Sequence, residues 1–179
     1  GGPNAQLAAS DFSQGTQGWS IAGNGEEPLA AAGDYIATFD ADPADLAFVA
    51  PQEFLGDLTL AYRGEISFEL LPSVRPSRPA VELTGGTLGP MGTPLILRKE
   101  LAPPATFLEF SSHRVALNER AGWSVVGEGR TATAEEMRDV LASLADLRIE
   151  AGSAASTSES IGLRRVRIDR PDVRVVIAA

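Results

Sequence analysis

The chain has 179 residues, 44% of them hydrophobic, no cysteine, and a formal net charge of -9. That length suits one ordinary domain with a core of its own. The missing thiols exclude a disulfide scaffold, a thiolate metal site and a cysteine nucleophile; no apolar run approaches the roughly 20 residues a membrane helix needs; and the acidic balance opposes a phosphate-binding surface, so neither nucleic acid nor membrane insertion is expected.

Gly1 to Gln6 carries neither the basic nor the apolar segment of a signal peptide, and residues 1–9 read as a loose leader. "DFSQGTQGWSI", Asp11 to Ile21, sets Phe12 and Trp19 around a glycine-rich turn, as between two strands. "DYIATFDADPAD", Asp34 to Asp45, is a strand running into an acidic loop. Strands follow at about Phe48 to Ala50, Leu58 to Tyr62 and Glu65 to Leu71. In the last of these Ile66, Phe68 and Leu70 alternate with Glu65, Ser67 and Glu69, one dry face and one wet. Between them, Phe54, Leu55, Gly56 and Asp57 read as a structural corner. The two apolar side chains plug the core, the glycine permits the bend, and the carboxylate accepts backbone N–H groups. The functional alternative makes Asp57 a ligand-binding carboxylate.

"PSVRPSRP", Pro72 to Pro79, lacks the donors a sheet interior needs and reads as an exposed connection. "AVELTG" and "PLILRKE" are further strands, and "PPATFLEFSSHRVALNE" reads as two more, with Ser111 and Ser112 near their turn. The period then changes to 3.6: Met137, Val140, Leu141, Leu144 and Leu147 share one helical face, predicting a short helix at about 134–147. Thr133 and Glu136 have the spacing of a capping box. A strand at about Arg148 to Ala151, a small-residue loop, and a closing strand Ile161 to Ile168 follow. In that closing strand Ile161 and Leu163 share one alternation and Val166 and Ile168 the other, so a bulge between them is required to keep all four inside. About ten short strands and one helix predict an all-β protein, an antiparallel β-sandwich of jelly-roll type over residues 10–168, with 169–179 as an edge strand or extension.

The segments "FVAPQEFLGDLTLAYRGEISFEL", "PAVELTGG", Trp123, "TAEEMRDVLASLADLRIEAG" and "IGLRRVRI" together resemble the laminin B domain, also called the laminin IV type A domain, in order and spacing. The resemblance implies a galactose-binding-like jelly roll, the architecture of many carbohydrate-binding modules, in a stand-alone bacterial relative or a piece of a larger secreted protein. Two departures stand out. Cysteine-rich flanks are absent, and Arg164 and Arg165 occupy positions where relatives often carry acidic and amide residues, so the resemblance does not carry over the calcium site that the acidic residue can help hold in related jelly rolls.

Candidate sites are few. Asp40, Asp42 and Asp45 cluster in "FDADPAD", with Asp34 before the same strand; a solvated acidic turn is the ordinary reading, and a structural calcium loop the chemical alternative. For a sugar, whose C–H face packs on a ring, Trp19, Tyr35, Tyr62 and Trp123 are the available platforms, although both tryptophans suit the core better. Catalytic groups are sparse. His113 is the only histidine, and its neighbours Ser111 and Ser112 lack a third group. Glu65 and Glu69 lie along one wet strand face rather than across a cleft. The strip Arg164, Arg165, Arg167, Arg170 and Arg174 reads as a strand face paired with acids, or as a contact for an acidic partner. The expected function, carried by the resemblance, is a non-catalytic adhesion or interaction module of a secreted or cell-surface protein. Its partner is a protein or a glycan. A carbohydrate-binding module is the alternative, and an accessory domain of a carbohydrate-active enzyme a more distant one.

Overall fold

The structure, a computed structural model, describes residues 6–22, 30–31, 33–41, 47–72, 78–88, 92–104, 108–150 and 159–171. Thirteen strands run in chain order: β1 (Gln6–Ser10), β2 (Ser20–Ala22), β3 (Ala30–Ala31), β4 (Ile36–Ala41), β5 (Ala47–Val49), β6 (Glu65–Pro72), β7 (Ala80–Leu88), β8 (Pro94–Glu100), β9 (Ser111–Ala116), β10 (Ser124–Val125), β11 (Arg130–Thr131), β12 (Leu144–Glu150) and β13 (Glu159–Asp169). Among the described residues these thirteen strands are joined by one α-helix, α1 (Ala134–Ala142), which precedes β12. The strands form two antiparallel sheets. The first has the order β3-β4-β13-β6-β9, with β1 also on β13; the second has the order β11-β10-β8-β7-β12-β5-β2. This is the β-sandwich that the strand pattern predicts.

The alternation in β6 does what its chemistry dictates: Ile66, Phe68 and Leu70 are buried. Across the core, Val81 and Leu83 of β7, Leu97 of β8, and Leu144, Leu147 and Ile149 of β12 meet them from the second sheet. The longest strand, β13, carries the required bulge. Its pairing with β6 shifts between Arg164↔Glu69 and Arg167↔Ser67, and Arg165 sits at φ +53. The extra residue restores the inward phase, so Ile161, Leu163, Val166 and Ile168 are all buried. The same point divides β13's other edge: β4 pairs with Glu159 to Leu163, and β1 with Val166 to Asp169.

Several expectations change. The helix stops at Ala142, five residues short of 147, and Leu144 and Leu147 belong to β12. A register shift between Leu144 and Asp146 leaves those two leucines three residues apart yet both inward, which mimics helical spacing. The capping box is present: Thr133 Oγ1 accepts from Glu136 N at 3.1 Å, and Glu136 Oε1 accepts from Thr133 N at 3.0 Å. Leu58 to Tyr62 is not a strand but a single 3-10 turn, Thr59–Ala61. Ser111 and Ser112 lie within β9, not at a turn. Gln6 to Ala9, expected as leader, are in β1. The connection 73–77, the tract 151–158 and most of the C-terminal segment, 172–179, lie outside the described residues.

The corner at Phe54–Asp57 ties the sheets to the helix. Phe54 is fully buried and meets Trp19 edge-on at 5.3 Å, while Trp19 meets Phe12 at 6.1 Å. Gly56 adopts φ +95, a conformation that penalises any side chain, and exchanges two 2.8 Å backbone hydrogen bonds with Leu144. Leu58 N then donates to Leu141 O at 2.7 Å. Asp57 accepts from Thr59 N and from the Thr59 hydroxyl, and those bonds hold its carboxyl below its usual range.

Candidate functional site

The sandwich has two outward sheet faces. On the first sheet, pairing lines up Ser112, Glu69 and Arg164 in one row, and Arg114, Ser67 and Arg167 in the next. Arg164 grips Glu69 with two hydrogen bonds, Nε to Oε2 at 3.2 Å and Nη2 to Oε1 at 3.3 Å. Arg165, thrown outward by the bulge, reaches the same carboxylate at 3.3 Å, and Asp34 stands 3.9 Å from Arg164. The Arg164 and Glu69 side chains are only 23% and 14% exposed, so the pair is partly desolvated and fixed in place.

Two aromatic rings adjoin this pair. The Arg164 guanidinium lies 3.7 Å from the Phe110 ring centre, and Tyr35 meets Phe110 edge-on at 5.5 Å. Both rings are half-exposed. Gly162 makes the room: a Cβ there would come within 3.3 Å of Tyr35 Cδ2 and 3.2 Å of Leu71 Cβ. The cluster presents ring surface, guanidinium donors and carboxylate acceptors side by side, with its charges balanced. It suits stacking and hydrogen bonding to a neutral polar ligand or a protein loop.

The other sequence candidates separate. Trp19 and Trp123 are buried and offer no face to a ligand, because each spends its indole N–H inside the fold: Trp19 on Ser10 Oγ at 3.0 Å, Trp123 on Ala116 O at 2.8 Å. Tyr62 is half-buried; its hydroxyl donates to Glu119 Oε2 at 2.6 Å, and Arg63 and Arg138 lie over its ring. Of the four rings, Tyr35 alone joins the face just described. Asp34 precedes β4 by two residues and stands 3.9 Å from Arg164; Asp40 lies in β4. Asp42 and Asp45 lie outside the described residues. Among the described residues no group of three or more His, Asp or Glu could hold a metal.

Phe110, Glu69 and Arg164 were not predicted as one site. Glu69 and Arg164 are 95 residues apart in sequence, and only the β6–β13 register joins them. The signal was present in part: pairing Leu70 with Leu163 sets Glu69 opposite Arg164.

Catalytic geometry is weak. Ser111 Oγ and His113 Nε2 are 2.9 Å apart, and His113 stacks on Phe68 at 5.4 Å; burial holds its imidazole below the usual range. No carboxylate bonds to that ring among the described residues, so the serine lacks the third member of a triad. Glu65 and Glu69, four residues apart on one strand, are separated by about 13 Å, beyond the spacing of about 5–9.5 Å that glycosidases use.

The outer face of the second sheet differs. There Arg98 bridges Glu82 and Glu150, each at 2.7 Å, linking β8, β7 and β12. The bond to Glu150, then that to Glu82, raises Arg98 above its usual range against the opposing effect of burial. No ring stacks on Arg98 among the described residues.

The sequence profile of the family described as laminin B (domain IV) matches residues 47–174. No curated protein matches the chain in sequence. Among solved structures, the L4b domain of human laminin alpha-2 is similar at TM-score 0.69 and 18% identity, over 86% of this chain and 90% of that one. The family 11 carbohydrate-binding module of a cellulosomal cellulase from Clostridium thermocellum is similar at TM-score 0.55 and 12% identity, over 93% and 95%. An agarase is similar at TM-score 0.55 and 13% identity, over 94% of this chain but 26% of its own. At these identities the likeness is one of fold.

Proposed function

The chain belongs to the laminin B (domain IV) family, and from that membership we propose that it is a non-catalytic interaction module of an extracellular protein. It engages a protein or glycan partner through the outer face of the first sheet. The observation that carries this reading is the placement of Tyr35 and Phe110 beside the paired Arg164 and Glu69. A fixed, partly desolvated charge pair next to exposed rings is costly to keep unless something binds there, and interfaces favour that mix of aromatic and arginine side chains. Among the described residues no helix is long and apolar enough to cross a membrane. We take the module to begin near Gln6 and close with β13.

The aromatic pair favours one specific version, a carbohydrate-binding module, in which a sugar packs on Tyr35 while Glu69 and Arg164 meet its hydroxyls. The similarity to a carbohydrate-binding module supports it. A glycan array on the whole chain separates the versions. Binding to one class of neutral sugar, lost in Tyr35→Ala and Phe110→Ala, supports the carbohydrate version. A blank array, with binding to immobilised matrix proteins that Arg164→Ala removes, supports a protein partner. If neither variant alters any binding, this face is not the site. Incubation with polysaccharides and product analysis should release no oligosaccharide; release of product would overturn the non-catalytic reading. Calcium remains a proposal for Asp34, Asp40, Asp42 and Asp45. Calorimetry with calcium and a chelator control tests it, and no heat together with an unchanged Tm would remove it.

A further inference from the structure

Away from both sheet faces, three arginines gather where the turn at Thr59–Ala61, the loop after β9 and helix α1 come together. Arg63 and Arg138 place their guanidinium carbons 5.6 Å and 5.3 Å from the centre of the Tyr62 ring. The turn at 59–61 packs against α1, and Arg63 N donates to Leu117 O at 2.9 Å, which brings the loop holding Glu119 and Arg120 alongside. Tyr62 is anchored by its hydroxyl on Glu119. That bond, before the nearby charges of Arg63 and Arg120, holds the Glu119 carboxyl below its usual range.

All three arginines are exposed, and among the described residues none of them is ion-paired. Every other arginine with an ion pair in this structure lies on a strand row beside its acid or, like Arg130, against α1. Glu135 and Asp139 flank Arg138 in sequence without pairing to it. The corner therefore carries three guanidinium groups that form no ion pair among the described residues, with Glu119 bonded to Tyr62 and Asp57 bonded to Thr59, on a chain whose net charge is -9.

We propose that Arg63, Arg120 and Arg138, organised around Tyr62, form a binding site for an anionic polysaccharide bearing sulfate or carboxylate groups. Guanidinium matches both anions through forked hydrogen bonds. Stacking on a ring that is itself hydrogen-bonded restricts two of the three side chains before the ligand arrives, which lowers the ordering cost of binding. An acidic peptide fits less well. Extended peptides gain affinity by pairing their backbone with a sheet edge, and the three arginines come from a turn, a loop and a helix, none of which offers one. The proposal rests on the interaction-module reading only in taking the ligand to be a polysaccharide, and it uses a different part of the surface.

The test is titration of the whole chain with dextran sulfate, polygalacturonate, unsubstituted dextran and poly-L-glutamate at 50 mM and 500 mM salt. The expected result is binding to dextran sulfate or polygalacturonate at the lower salt, loss at the higher, and none to dextran. The two anionic arms distinguish sulfate from carboxylate. Arg63→Gln with Arg138→Gln should weaken binding at least tenfold with an unchanged circular dichroism spectrum. Arg148→Gln, on the second sheet, should leave it within twofold. No binding to either anionic polysaccharide, equal binding to poly-L-glutamate, or equal losses in all variants would overturn the proposal. Tyr35→Ala and neutral glycans report on the sheet face separately, so failure of one reading does not imply failure of the other.

Discussion

Each sheet turns an arginine outward between carboxylates, yet the two arginines keep different company. Arg98 on the second sheet holds Glu82 and Glu150, one from each of two other strands, and nothing aromatic stacks on it among the described residues. Arg164 on the first sheet holds Glu69, has Asp34 within 3.9 Å, and lies against Phe110 with Tyr35 beyond. The lesson is that a charge pair on a strand face is not diagnostic by itself. Three strands cross-linked by one guanidinium are explained by sheet cohesion. A guanidinium sandwiched between a carboxylate and a ring, beside a second ring, presents a shaped surface as well.

The contrast can be broken most forcefully at Glu69. Glu69→Ala removes the shared acceptor of Arg164 and Arg165 and leaves a mostly buried guanidinium without its main partner. It should cost about 2–3 kcal/mol in urea unfolding. A loss under about 0.5 kcal/mol would mean that Arg164 finds water as easily as its carboxylate. Arg98→Ala comes next. Its side chain is 29% exposed, so solvent screens part of the attraction, and about 1–2 kcal/mol is expected, with no change in binding to any ligand of the first sheet. Ligand loss in Arg98→Ala would erase the distinction between the faces.

Tyr35→Ala sharpens the contrast from the other side. It should weaken ligand binding at least tenfold, about 1.4 kcal/mol, while the melting temperature moves less than in Glu69→Ala. The smallest effect is expected from His113 at the edge of the first sheet. Burial depresses its imidazole in the folded chain, so the unfolded chain takes up the proton first as pH falls. Its contribution to stability is complete above the unfolded value of about 6.5 and is lost as pH drops through the lower folded value. Urea midpoints at pH 7.5 and 5.5 should differ less in His113→Gln than in the parent; an equal difference would assign the pH response to other groups.

Much of the fold was legible because one face of most strands is dry. The dyad pattern of Ile66, Phe68 and Leu70 fixed β6, and the phase change between Leu163 and Val166 required the bulge found at Arg164–Arg165. Where reading failed, local geometry imitated another period. Leu144 and Leu147 look helical because an irregular register spaces them by three. Leu58, Leu60 and Tyr62 alternate like a strand, yet Leu60 is 62% exposed at the top of a turn. The site was less legible. Tyr35 drew attention as an aromatic residue, but its usefulness depends on Phe110, on the lack of a side chain at Gly162, and on a strand pairing that spans 95 residues. No local pattern encodes those three conditions together.

The surplus residue in β13 has a cost when it is taken away. Deleting Arg165 would leave every later side chain of that strand pointing the wrong way, sending Val166 and Ile168 into water and Arg167 into oil. Strand β1 takes its strand pairing, among the described residues, from that later half alone, so it would lose that pairing at the same stroke. A one-codon deletion at this position should therefore be harsher than most substitutions anywhere on the surface of the protein.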